Sequence, residues 1–149
     1  MPPSTVVIGS DHAGLELKNA VMRSLREANF TITEFGARSR ESCDYPLVAG
    51  ELCREVLATG NPGILICGTG LGMSMAANRL PGIRAALCTN EYLARMTRAH
   101  NNANVLCLGA RVLGEALAES IVSVFLNTPF EGNRHQRRID QIETLNPNT

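Results

Sequence analysis

The residues best suited to chemistry lie between Gly63 and Ser74, a stretch reading Gly-Ile-Leu-Ile-Cys-Gly-Thr-Gly-Leu-Gly-Met-Ser. Ile64, Leu65 and Ile66 form a short branched apolar run, the pattern of a strand buried on both faces of a parallel sheet. The run ends at Cys67. Beyond it Gly68, Thr69, Gly70, Leu71 and Gly72 allow a sharp turn that can aim several N–H groups at one point before a helix starts near Leu71, an arrangement that receives an anion. A thiol placed where a strand stops and a helix dipole begins is expected to favour its thiolate form.

Other reactive side chains fall at comparable places. Asp11 and His12 follow the first apolar strand, His100 and Asn101 close a later helix, and Arg111 follows the last strand. In an open parallel sheet, ligands bind beyond the carboxyl ends of the strands, where strand order reverses. The expectation is therefore that Asp11, His12, Cys67, Thr69, His100, Asn101 and Arg111 meet at one rim. Asp11 reads equally well as a helix cap, and His100 equally well as a cation at a helix C-terminus. Arg134 and Arg138 lie four apart on one helical face, so their two guanidinium groups could converge on one phosphate, although a solvated face is the commoner fate of such a cluster. Cys53, Cys88 and Cys107 read as core.

These positions require a scaffold. Thr5 to Ile8, Thr31 to Phe35, Ile64 to Ile66, Ile83 to Cys88 and Val105 to Leu108 read as strands. Helical patterns separate them. In the first, Leu17, Val21, Leu25 and Ala28 face the sheet while Lys18, Arg23 and Glu27 face water. The second begins at Tyr45 with Pro46 near its first position and runs to about Thr59; Asn90 caps a later one that ends around His100, and a further helix spans Gly114 to Leu126. Alternation of five strands with helices predicts an α/β, three-layer, Rossmann-like fold with a five-stranded parallel sheet, its strand order beginning 2-1-3. The last segment, Arg134 to Leu145, has few apolar residues and no strand of its own, so it is expected to pack on a dimer partner.

Composition bounds the function. The chain has 149 residues, 44% of them apolar, and a formal net charge of zero, which suits one domain and gives no basic surface for nucleic acid. Five cysteines without a Cys-x-x-Cys pair, and no signal peptide before Val6, predict reduced thiols and a cytoplasmic location. No apolar run is long enough for a membrane span. The terminal Pro147-Asn148-Thr149 is not a peroxisomal address.

Several segments together resemble the ribose/galactose isomerases, and within them the type B ribose-5-phosphate isomerases. They are Gly9-Ser10-Asp11-His12-Ala13-Gly14, Asp44-Tyr45-Pro46, Cys67 through Ser74, Ala77-Asn78, Gly82-Ile83-Arg84-Ala85, His100-Asn101 with Asn104-Val105-Leu106, Gly109-Ala110-Arg111, and Arg134-His135 with Arg138. The resemblance implies a homodimer that interconverts ribose 5-phosphate and ribulose 5-phosphate through an enediolate, without metal or other cofactor. It implies Cys67 as the base that moves a proton between C2 and C1, supported by Thr69. It implies His100 as the ring-opening acid/base, with Asp11 beside the sugar hydroxyls. Backbone groups from Gly68 through Gly70 and Leu71 to Gly72 would hold the enediolate oxygens, and Tyr45 and Asn101 would contact the sugar. Phosphate would fall to Arg111, Arg134 and Arg138 with His12 nearby, the tail arginines coming from the other subunit. One branch of the family has Ser in place of the Cys and Glu where Leu71 stands, so this chain resembles the Cys branch. Arg137 acquires no role.

Two other classes fit less well. Gly68-x-Gly70-x-x-Met73 lacks the third glycine of a dinucleotide fingerprint, and no Walker lysine follows. A zinc site made from Cys67, His12, His100 and Asp11 matches no compact ligand spacing.

Overall fold

The computed structural model describes residues 3–145; the terminal Pro147-Asn148-Thr149 lies outside them. Five strands, β1 (Thr5–Ser10), β2 (Thr31–Gly36), β3 (Gly63–Cys67), β4 (Ala85–Leu87) and β5 (Val105–Gly109), alternate with helices. The helices are α1 (Leu15–Glu27), α2 (Tyr45–Thr59), α3 (Leu71–Ala77), α4 (Glu91–Asn101), α5 (Glu115–Asn127) and α6 (Arg134–Glu143), and a 3-10 turn, His12–Gly14, precedes α1. All strand pairs are parallel, in the order β2-β1-β3-β5-β4. The expected 2-1-3 start is present, and β3 lies at the centre.

Every residue of β3 and β5 is buried, as a strand covered on both faces requires. Alternate side chains enter two separate cores. Val6, Ile8, Ile64, Ile66, Leu106 and Leu108 pack with Val21, Ile121 and Phe125 from α1 and α5. Val7, Leu65, Val105 and Cys107 pack with Leu52 and Met73 from α2 and α3. All five cysteines are free thiols, and Cys53, Cys88 and Cys107 are core residues as expected. Burial pushes the Cys53 and Cys88 thiols up to about 11, with Arg54 partly opposing it at Cys53. Cys107 is likewise driven well above the ordinary thiol range, by burial and then by its neighbouring thiols.

Three expectations need correction. The fourth strand is three residues rather than six, because the Ile83 N–H bonds to the Leu80 carbonyl and the Arg84 N–H to Asn104 Oδ1, leaving neither free for the ladder. Lys18 is fully buried instead of wet: its Nζ lies 2.9 Å from Glu34 Oε2 and donates to the carbonyls of Phe35 and Ala37, tying the exit of β2 to α1. Ala28 lies just beyond α1 and is exposed. The tail also has more support from its own chain than its composition suggests. His135 and Ile139 of α6 are buried, α6 packs on α4, and Glu143 bonds Arg84 at 2.8 Å.

Candidate active site

The carboxyl ends of β1, β3 and β5 are welded together by backbone bonds. Asp11 N–H donates to the Ile66 carbonyl, Ala110 N–H to that of Cys67 and Arg111 N–H to that of Gly68. The Asp11 carboxylate caps the 3-10 turn by accepting the Gly14 N–H at 3.1 Å and is buried, so the capping role is realised. His12 Nδ1 accepts the Cys43 N–H at 3.2 Å. In the neutral ring this leaves the proton on Nε2, where it is available to donate. His12 and Arg111 line one cleft of about 550 Å³ together with Glu16, Arg40 and Glu115. Two cationic side chains and a donor imidazole there can receive an anionic group, while the Arg40–Glu16 ion pair neutralises part of the remaining charge.

Cys67 stands beside this cleft. Its Sγ accepts the Gly70 N–H at 3.2 Å, a contact that Gly70 makes from a left-handed conformation with φ of 80°. The Leu71 N–H donates to Thr69 Oγ1. Two of the loop amides are therefore held by the loop's own side chains, one of them directly by sulfur. Arg111 crosses over Gly68, so close that a methyl group there would sit 3.1 Å from its Nη1. The ring of Tyr45, at the start of α2, covers Gly72 with a clearance that would put such a methyl group 2.6 Å from Cζ. Asp11, His12, Tyr45, Arg111 and the Gly68–Gly72 loop thus assemble around Cys67.

His100 and Asn101 do not join them. This overturns the expectation of one shared rim within a single chain. They end α4, which runs back toward the start of β5, where the Asn104 carbonyl accepts the N–H of Gly63, the first residue of β3. The Arg84 guanidinium fixes that helix end by donating to the Asn101 and Asn102 carbonyls. Gly63 pairs with Val105 and Cys67 with Gly109, so the two ends of the sheet are separated by four strand rises, ~13 Å. The reason is the direction of the connection: a helix between parallel strands must carry the chain back to the end of the sheet where the next strand starts. Arg134 and Arg138 are exposed on α6, which packs on α4, so they belong to this second group.

His135 and Glu131 complete that group and were not identified from the sequence. The rings of His100 and His135 stack with centroids 4.2 Å apart and planes within 12°. Burial holds His135 below the ordinary histidine range, and the neighbouring His100, Arg134 and Arg138 act in the same direction against Glu131. The Arg134-His135 pair marked the segment, but only folding reveals that one side chain points in while the other points out.

A family model described as Ribose/Galactose Isomerase matches residues 6–142. The chain belongs to this family. It is 41% identical to ribose-5-phosphate isomerase B of Escherichia coli strain K12 over 141 residues, covering 94% of this chain and 95% of that one. Among solved structures of the family, a ribose 5-phosphate isomerase from Thermotoga maritima superposes with a TM-score of 0.93 at 48% identity, covering 95% of this chain and 98% of that one. The ribose-5-phosphate isomerase B of Mycoplasma genitalium, solved with bound ribulose-5-phosphate, gives 0.92 at 41% identity, with 97% of each chain covered. The five-stranded order found here is that of a ribose/galactose isomerase.

Proposed function

We propose that the chain acts as one aldose–ketose isomerase domain, interconverting D-ribose 5-phosphate and D-ribulose 5-phosphate through an enediolate. The observation that carries this reading is the Cys67 thiol at the carboxyl end of the central strand, one residue from the loop position that Arg111 covers and beside the His12–Arg111 cleft. Phosphate binds at that cleft, which puts the sugar carbons over the Gly68–Gly72 loop. The Cys67 thiolate removes the C2 proton of the open-chain aldose. Negative charge then develops on the oxygens of C1 and C2, where loop N–H groups and Thr69 supply hydrogen bonds. The thiol returns the proton to C1 as the hydroxyl proton passes between the oxygens, so no hydride acceptor or metal is consumed. Asp11, Tyr45 and Asn101 hold sugar hydroxyls. Binding energy at the phosphate, remote from the reacting carbons, aligns them.

Ribose 5-phosphate is mainly a furanose, so its ring must open first. His100 performs that step as acid and base. A single chain holds His100 and Cys67 at opposite ends of its sheet, so a complete site requires two chains. The homodimer joins the Cys67 rim of one protomer to His100, Asn101, Arg134 and Arg138 of its partner. The five free thiols suit a reducing cytoplasm.

The direct test follows ribose 5-phosphate by proton NMR in deuterium oxide with purified, chelator-treated protein. Formation of ribulose 5-phosphate with deuterium entering the carbon-bound positions is expected. Absence of ketose would overturn the assignment; conversion with full retention of the original hydrogen would mean that the base passes the C2 proton to C1 without exchanging it with solvent.

A further inference from the structure

The cleft at His12 and Arg111 has one more cation in its wall, and that cation comes from a different element. Arg40 lies on the loop that follows β2, whereas His12 follows β1 and Arg111 follows β5. In the sheet order β2-β1-β3-β5 the two arginines are therefore attached on either side of His12. The loop that carries Arg40 is pinned at both feet. Buried Lys18 bonds the carbonyls of Phe35 and Ala37, the Ala37 N–H donates to the Ser10 carbonyl at 2.8 Å, and the Cys43 N–H donates to His12 Nδ1 at 3.2 Å. Residues 38–42 between these anchors are all exposed, and among the described residues the one hydrogen bond of their backbone runs from the Glu41 N–H to Ser39 Oγ. The loop is thus fixed beside the cleft while its tip is unbraced.

The partner of Arg40 is Glu16, in the first turn of α1. The two side chains are 82% and 77% exposed, and an ion pair so open to water contributes little. Glu16 lines the same cleft, so Arg40 need not enter from elsewhere to change partner. The other acid there, Glu115, faces Arg23 at 3.5 Å. A sugar phosphate offers a guanidinium fork more charge than a carboxylate and three oxygens to accept its N–H groups. Phosphate drawn in by His12 and Arg111 therefore competes with Glu16 for Arg40 on favourable terms. A neutral sugar does not.

We propose that Arg40 is a further phosphate-binding residue, held by Glu16 in the free enzyme and passed from that carboxylate to the phosphate when substrate enters the cleft. The exchange favours phosphorylated over free sugars, because only a strong anion displaces Glu16. It rests on the reading of this cleft as the phosphate seat.

The experiment is a double-mutant cycle on the full chain, with inorganic phosphate binding followed by calorimetry and ribose 5-phosphate turnover measured beside it. Arg40→Ala should weaken phosphate binding and raise KM by ~10-fold, the scale of a lost charged hydrogen bond, with kcat changed less than about twofold because the contact is equal in ground and transition states. Glu16→Gln should tighten phosphate binding by about threefold, the worth of an exposed ion pair no longer to be broken. In the Arg40→Ala background that gain should vanish, since Glu16 then holds nothing back. Both substitutions are on the surface, and unchanged urea midpoints establish that the fold is kept. Phosphate affinity indifferent to Arg40→Ala overturns the proposal. A Glu16→Gln gain of the same size with and without Arg40 overturns the exchange, because it would reflect only the net charge of the cleft. A parent protein that binds phosphate through Arg40 but converts no ribose 5-phosphate would refute the isomerase reading while retaining Arg40 as an anion ligand.

Discussion

Five thiols in one small domain differ in reactivity because they differ in what surrounds them. Cys53 and Cys88, pushed up to about 11 by burial, are thiolate in only about one molecule in a thousand at pH 8, and burial shifts Cys107 in the same direction. Their raised values mean that reactivity appears only as pH climbs toward 11. Native protein treated with iodoacetamide at pH 8 should therefore carry label at Cys43 and Cys67, read by peptide mass spectrometry, with ribose 5-phosphate protecting Cys67. Comparable labelling of Cys53 would contradict this assignment. Cys67→Ser should retain the fold and phosphate binding but lose at least ~10²-fold in turnover, the scale of a missing general base, because a serine hydroxyl is too weak an acid. Near-normal turnover by a folded variant would release Cys67 from its role.

At the scale of elements, the exit of β2 shows how a polar side chain can organise a site from beneath. Lys18 is buried between α1 and the strand end, paired with Glu34 and two carbonyls, and the loop it anchors continues to Cys43, whose N–H orients His12. Lys18→Met fills similar volume but leaves Glu34 and the carbonyls short of a donor. The expected cost is about 3 kcal/mol in urea unfolding, against at most about 0.5 kcal/mol for an exposed surface lysine. Because Glu34 is partly exposed and also lies 3.7 Å from Arg38, a Glu34→Gln substitution should cost less than the lysine change. Equal stability of Lys18→Met and the parent would mean that the ion pair contributes nothing net.

For the whole molecule the decisive feature is polarity of the sheet, with Cys67 at one end and His100 at the other. If two chains complete each site, Cys67→Ala and His100→Asn homodimers are each defective at both sites. A mixed dimer collects both lesions in one site and neither in the other. Random exchange of equal amounts makes half the dimers mixed, so roughly a quarter of parent activity should return when the two variants are unfolded and refolded together. Activity no higher than that of the separately refolded variants, with mixed dimers demonstrated by mass, would place His100 and Cys67 in the same chain's site or outside it.

The sequence by itself determined the alternation of elements, the central strand and the loop at Cys67, because buried parallel strands and glycine turns are written in local residue type; the 2-1-3 start followed from setting the loops at Asp11 and Cys67 on either side of one switch point. Tyr45-Pro46 marked the start of α2 and Asn90 capped α4 for the same reason: capping chemistry acts within one turn. Tertiary structure alone decided that Lys18 is inside, since a flexible stem can reach distant carbonyls that no helical period records. It also decided that the Ile83–Arg84 backbone bonds to a turn and to Asn104, which shortens β4. Above all it separated His100 from Cys67. Residue types can mark both as reactive, but only the path of α4 back along the sheet puts them at opposite ends and gathers His100, Glu131 and His135 from elements 31 and 35 residues apart in numbering into one cluster.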